Sequence, residues 1–147
     1  MAASSKQVLI LDTDHVTAID RETRLGVYLL DRLANSGSPF GTTIITVDEQ
    51  LRGLLAEISR QRLEHKKIEW YGKLQTKIAD LGTLRILGWD EPAVAVFERL
   101  RAARIRIGTM DLRIASIAIA NSATLLTRNL KDFARVPGLR AENWLET

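Results

Sequence analysis

The sequence predicts an α/β fold, a three-layer sandwich whose largely parallel central sheet is flanked by helices. Three observations predict it. Short apolar or β-branched runs recur at 8–11, 42–46, 84–87 and 124–127. The segments between them carry helical rather than alternating periodicity. Strands that alternate with helices close into a parallel sheet covered on both faces.

Taken in order, residues 8–11 (Val-Leu-Ile-Leu) read as a buried strand ended by the polar run Asp12, Thr13, Asp14 and His15. Leu25, Leu29 and Leu33 recur every fourth residue, with Leu30 alongside, as the stripe of an amphipathic helix. The Asn-Ser-Gly-Ser-Pro run at 35–39 breaks it. Residues 42–46 are all β-branched and predict a second strand. Leu51, Leu54, Leu55 and Ile58 follow at the spacing of a helix facing a core. Residues 59–80 are rich in Arg, Lys, Glu and Gln around a narrow seam of Ile68, Tyr71, Leu74 and Ile78, which predicts a long, partly exposed helix. That seam is also a candidate partner surface, or intramolecular packing.

A third strand is expected at 84–87. Glu91 and Pro92 then open a helix, since proline is tolerated in a first turn, with Ala93, Val96, Phe97 and Leu100 on its inner face. Residues 114–120 are apolar almost all round, so that helix should be central and buried. A fourth strand at 124–127 and a last edge strand at 139–144 complete the chain. Without an internal repeat, low-complexity tract or linker, 1–147 reads as a single domain.

A chain of 147 residues can bury roughly 70% of the surface its unfolded form exposes. With 46% hydrophobic and 27% charged residues, its composition is that of a soluble globular protein. No apolar run approaches the ~20 residues that span a bilayer. Residues 1–6 lead into a short apolar run before Asp12, which argues against a signal peptide and for a cytoplasmic protein. The absence of cysteine excludes disulfides, thiolate zinc sites and cysteine nucleophiles. A net charge of +3 is compatible with RNA or an acidic partner.

The chemistry lies in three acids. Asp12, Glu49 and Asp111 each stand where an apolar segment meets a turn or helix start. In an open α/β sheet the carboxyl ends of the strands line one crevice, so these acids can converge. Converging carboxylates repel unless a proton or cation separates them, and hard oxygen ligands suit Mg²⁺ or Mn²⁺. The pattern points to a metal-dependent phosphodiester site.

Each acid also has a structural reading. Asp12 could be a turn or capping residue, with Thr13 and Asp14 either orienting it or simply turning the chain. Glu49 completes Thr46-Val47-Asp48-Glu49, which fits a capping box, while Asp48 could be a helix-dipole partner. Asp111 follows Thr109, a cap candidate; because the helix beyond looks buried, its start should enter the crevice. In the loop after the fourth strand, Thr127 offers a hydroxyl, Asn129 a neutral oxygen and Asp132 a carboxylate. Arg128 and Lys131 could hold phosphate there, or the segment could be an ordinary polar loop. His15 adjoins the acids and could touch substrate, and His65 should be solvated; their spacing makes no zinc site. Gly37, Gly41 and Gly53 match no nucleotide fingerprint.

Together these segments resemble the PIN-domain ribonucleases, and within them the VapC toxins of bacterial toxin–antitoxin pairs. The run from Val8 to His15 is similar to the family's opening strand and Asp-Thr-Asn/Asp turn. The run from Ile44 to Gly53 resembles its glutamate segment, and that from Ile107 to Ala115 its third acidic block. Residues from Thr124 to Asn129, Asp132-Phe133, Val136 to Leu139 and Trp144 resemble its closing stretch. The resemblance implies an endoribonuclease using Mg²⁺ or Mn²⁺, with Asp12, Glu49 and Asp111 as catalytic metal ligands. Thr13, Asp14 and Thr127 would support them, and Arg52, Arg113, Arg128 and Lys131 would bind RNA. It further implies a cognate antitoxin and a homodimer. One departure is that many PIN domains place a fourth acid where this chain has Asn129, so Asp132 is the other candidate for that position.

Two alternatives remain in view. The segment from Leu11 to Val16 also fits a haloacid-dehalogenase-like phosphatase, with Asp12 as nucleophile and Asp14 as acid/base. No later paired-acid motif follows, and the chain is short for that fold. A catalytically silent PIN-like RNA-binding module is the second.

Overall fold

The computed structural model describes residues 7–20 and 23–146; residues 1–6, on which the signal-peptide argument rests, lie outside the described residues. The elements run β1 (Leu9–Leu11), α1 (Thr13–Asp20), α2 (Arg24–Ser36), β2 (Phe40–Thr43), α3 (Ile44–Arg60), a 3-10 turn (Glu64–Lys66), α4 (Lys67–Leu81), β3 (Arg85–Leu87), α5 (Glu91–Ala102), α6 (Thr109–Ala120), β4 (Thr124–Leu126), α7 (Leu130–Phe133) and β5 (Arg140–Glu142). The strands form one sheet in the order β3-β2-β1-β4-β5, and every pairing is parallel. The chain builds outward from β1 through β2 to β3, then crosses back to the far side of β1. The topological switch point therefore falls between β1 and β4, where such sheets bind ligands.

Side-chain alternation along β1 divides the core between the two faces of the sheet. Leu9 and Leu11 pack with Val16 of α1, Leu29 and Leu33 of α2, and Leu126. Ile10 packs the other way, with Phe97 and Leu100 of α5, Ile114 and Ile117 of α6, and Leu125. The expected three-layer sandwich is thus present. Helix α6 is its most enclosed helix as read from the sequence, with Ile114, Ala115, Ile117 and Ala118 fully buried. Strand β5 lies at one edge, as expected.

Three elements differ from the sequence reading. The second strand ends at Thr43, not at residue 46, because the Thr43 side chain accepts a hydrogen bond from the Thr46 amide and caps α3. That cap overrides the strand preference of Ile44 and Ile45. The polar run at Asp12 is the start of helix α1, with the Asp12 carbonyl accepting from the His15 and Val16 amides. The expected long helix over 59–80 is broken: α3 stops at Arg60, Gln61 is extended, and α4 folds back against α3. Folding back covers the side of α4 that carries Trp70, Leu74 and Leu81, while Ile68, Tyr71 and Ile78 stay exposed.

Gly41 makes the sheet possible at β2. A Cβ there would lie 2.2 Å from the carbonyl oxygen of Arg85, its register partner on β3. The obstacle is backbone, so it cannot rotate away. Gly41→Ala should therefore destabilise the protein by about 1–3 kcal/mol, read as a lower denaturant midpoint in equilibrium unfolding.

Candidate active site

Asp12 is placed by the sheet itself. Its amide donates to the Leu126 carbonyl and so extends the β1–β4 ladder by one residue. Its carboxylate is 8% exposed and doubly held: Oδ1 accepts from the Thr13 amide at 2.8 Å, and Oδ2 from the Thr127 hydroxyl at 2.8 Å. Thr127 is fully buried just after β4, and its Oγ1 also accepts from the Asn129 amide at 3.0 Å. One hydroxyl thus joins the ends of β1 and β4 and shapes the following loop.

Glu49 sits in the second turn of α3. Because Thr43 is the cap and Thr46 the third helical residue, the Thr46–Glu49 capping box does not form. The glutamate is free of that duty and accepts, at a long 3.4 Å, from the Thr13 hydroxyl. Asp48 lies beyond the first turn and pairs with Arg52 one turn on. Asp111 lies in the first turn of α6, whose cap is Gly108 rather than Thr109.

Burial and neighbouring charge both act on these acids. Burial raises the Asp12 carboxyl above its ordinary range, against the lowering effect of its bonds to Thr127 and Thr13. Glu49 is raised by burial, then by the charges of Asp12 and Asp111. Asp111 is raised by burial, then by Asp12 and Asp132. Asp132 therefore joins the group, and the Asn129 side-chain amide donates to its Oδ2 at 3.2 Å. Among the described residues no group of three or more His, Cys, Asp or Glu side chains stands close enough together to hold a metal ion without moving; the carboxylates share a field rather than a set of bonds.

Asp14 behaves oppositely. Burial alone would raise it, but the bonds from His15 and from the Arg128 amide outweigh burial and lower its carboxyl. With Oδ1 on His15 and Oδ2 on the Arg128 amide, it is neither a free ligand nor a protonated acid. This removes the acid/base role that the phosphatase reading requires. The expectation that His15 touches substrate is also corrected, because the ring is fully buried. Its Nε2 accepts from the Trp144 amide at 3.2 Å, so the proton resides on Nδ1 and is donated to Asp14. His15 ties the start of α1 to the carboxyl-terminal segment. No local signal announces this role, since its partner lies 129 residues away. His65 is exposed, as expected.

The expected phosphate contacts divide. Arg128 and Lys131 are exposed beside the acids' loop. Arg52 closes as a fork on Asp48, at 2.8 and 3.1 Å. Arg113 is turned toward α5, with its guanidinium over Phe97 and Nη1 at 3.2 Å from the Met110 sulfur. A concavity of about 710 Å³ has none of Asp12, Glu49, Asp111 or Asp132 in its lining. It is walled by Thr17 of α1, Leu54 of α3, and Lys73, Thr76 and Lys77 of α4.

Comparison with known proteins finds relatives that match along most of the chain. No family model matches the chain. Ribonuclease VapC1 of Rickettsia felis is 30% identical over 133 residues, 89% of this chain and 92% of the relative. The tRNA(fMet)-specific endonuclease VapC of Salmonella typhimurium is 34% identical over 68 residues, 44% of this chain and 52% of that protein. Among solved structures, VapBC2 from Rickettsia felis, bound to a DNA fragment from their promoter, superimposes with a TM-score of 0.71. Its identity is 28%, and the match covers 93% of this chain and 98% of that one.

The raised carboxyls predict a stability effect. A carboxyl that holds its proton to higher pH when folded resists ionisation more than in the unfolded chain. The resulting destabilisation sets in as pH rises past the unfolded range, about 4.3 for glutamate, and is complete above the raised folded value. Glu49→Gln should therefore raise the metal-free unfolding midpoint at pH 7, with about 2–4 °C for each kcal/mol recovered. The gain should shrink toward pH 4, and differential scanning calorimetry across that range measures it.

Proposed function

Because this chain belongs to the VapC family of ribonucleases, we propose that it is a divalent-metal-dependent endoribonuclease, the toxin of a toxin–antitoxin pair, with Asp12, Glu49 and Asp111 as its catalytic acids. The observation that carries this reading is that Asp12, directly after β1, adds to burial in raising the carboxyls of Glu49 in α3 and Asp111 in α6, and that Asp111 adds to that of Glu49. The donor set suits a hard cation: it is built of carboxylate oxygens, with no thiolate or imidazole among them. Mutual repulsion is the condition that such a cation relieves.

In this reading Asp12 and Asp111 hold Mg²⁺ or Mn²⁺ and Glu49 completes its shell. Bound there, the ion supplies a water of lowered pKa and neutralises charge developing on the phosphodiester. Thr127 and the Thr13 amide keep the Asp12 oxygens aimed, and the Thr13 hydroxyl steadies Glu49. Asp132 supplies the fourth negative charge, with Asn129 orienting it through its side-chain amide. Asp14 acts from behind, holding the Arg128 amide and hence the loop that carries Asn129. Arg128 and Lys131 stand where they can meet RNA phosphate, and Arg52 can do so by leaving Asp48.

The proposal treats 1–147 as one domain acting in the cytoplasm. Among the described residues no helix is long and apolar enough to cross a membrane. A cognate antitoxin is its expected partner, in keeping with the similar protein solved as a VapBC pair. Homodimerisation is part of the same reading. Ile68, Tyr71 and Ile78 of α4 are 65%, 54% and 54% exposed, an apolar surface that association would cover.

Asp12→Asn and Asp111→Asn should each abolish metal-dependent RNA cleavage while leaving the circular dichroism spectrum intact; full activity in both would defeat the site assignment. Thr127→Val, which removes the hydroxyl from Asp12, should lower activity or metal affinity about 10–100-fold, as measured by cleavage rates across a Mn²⁺ titration.

A further inference from the structure

A second charged feature lies on the other side of α6. A cavity of about 450 Å³ opens between α5 and α6, lined by Phe97, Arg101, Ile105, Ile107, Thr109 and Arg113, among others. The Arg101 guanidinium carbon stands 5.8 Å from the Phe97 ring centroid, and that of Arg113 stands 5.9 Å from the same centroid. Two cations therefore share one ring and one cavity. Among the described residues neither has a carboxylate partner, whereas Arg52, Arg60, Lys67 and Lys73 each pair with an acid within one helical turn.

The ring attracts both cations but neutralises neither. Their repulsion is the inverse of that among the acids, and an anion between them relieves it. The floor of the cavity is fixed: Phe97 is 7% exposed and packs edge-on against Trp89 at 5.4 Å. The apolar walls of Ile105 and Ile107 weaken competition from water, and Thr109 adds a hydroxyl donor. Paired guanidinium forks match phosphate oxygens bidentately.

The position says which phosphate. Arg113 follows Asp111 by two residues, which places the side chains roughly 200° apart around α6, on opposite sides of a helix about 10 Å across. A phosphate in the cavity therefore belongs to a nucleotide flanking the one that is cut. We propose that Arg101, Arg113 and Thr109 form a phosphate subsite for the RNA strand flanking the scissile bond. This rests on the endoribonuclease reading, and it adds Arg101 to the RNA surface.

The test is RNA binding by the full chain in EDTA, where cleavage is suppressed, as a function of salt. The variants are Arg101→Glu and the double variant Arg101→Gln/Arg113→Gln. Losing one phosphate contact should weaken binding about tenfold and flatten the logarithmic salt slope by about 0.7. In Mn²⁺, KM should rise by more than kcat falls. A lower unfolding midpoint with kcat and KM altered together, at the wild-type salt slope, would mark a packing role and overturn the subsite. Stabilisation of the wild type by inorganic phosphate, with equal RNA slopes in all proteins, would assign the cavity to a free anion and also overturn it. If the wild type cuts no RNA in Mg²⁺ or Mn²⁺ while the variants still lose slope, the nuclease reading fails and with it the place beside a scissile bond, and the cavity is an RNA phosphate contact only.

Discussion

The hydrogen bond from the Thr127 hydroxyl to Asp12 joins the ends of β1 and β4, and much of the site hangs from it. The two strands are neighbours only because the chain reverses direction across the sheet, so this contact exists only once the parallel order is complete. It holds a buried carboxylate that would otherwise lack sufficient polar partners. By accepting from the Asn129 amide, the same hydroxyl sets the loop that leads to Asp132. A short β-branched alcohol suits this place: it ends a buried strand, and one oxygen both donates and accepts.

Asp12 and Asp14 show how two carboxyls only two residues apart acquire opposite characters. Asp14 is engaged by His15 and by the Arg128 amide, which outweigh its burial and keep it ionised. Asp12 is held by a hydroxyl and an amide that do not fully offset burial, and its charge acts on Glu49 and Asp111. The first is structural ballast against the carboxyl-terminal segment, where the Trp144 amide meets His15 and Arg32 lies 4.4 Å from the centroid of the Trp144 ring. The second is left electrostatically unsatisfied. A fold that tolerates such repulsion at one place gives up some stability there, as sites that bind cations commonly do.

Much of the fold was legible because its signals are local. Leu29 and Leu33, the apolar run around Ile114 and the buried residues of β1 and β4 sit where their periodicity placed them. The acids were legible for a related reason: apolar strands ending at an acid mark one edge of a parallel sheet. Less legible were boundaries that depend on a single side-chain bond. The Thr43 cap ended β2 early and released Glu49 from the expected capping box. The turn between α3 and α4 was hidden because charged helical composition continues through it. Arg113 was read as a phosphate contact, and what the sequence did not show is that helical geometry turns it toward Phe97 and Arg101.

By itself the sequence determined the fold class, the order of strands and helices along the chain, and the acids themselves, with Asp132 only one of two candidates for the fourth position. Those follow from hydrophobic period and from where polar residues interrupt it. Only the tertiary structure decided which acids face one another, that Asp14 turns away, that His15 is buried, and that Asp132 joins the group through Asn129. These outcomes depend on groups brought together from opposite ends of the chain, where burial and neighbouring charge set each carboxyl's character. The acids where apolar segments give way are a property of the sequence; the burial and neighbouring charge that raise their carboxyls arise only when the sheet closes.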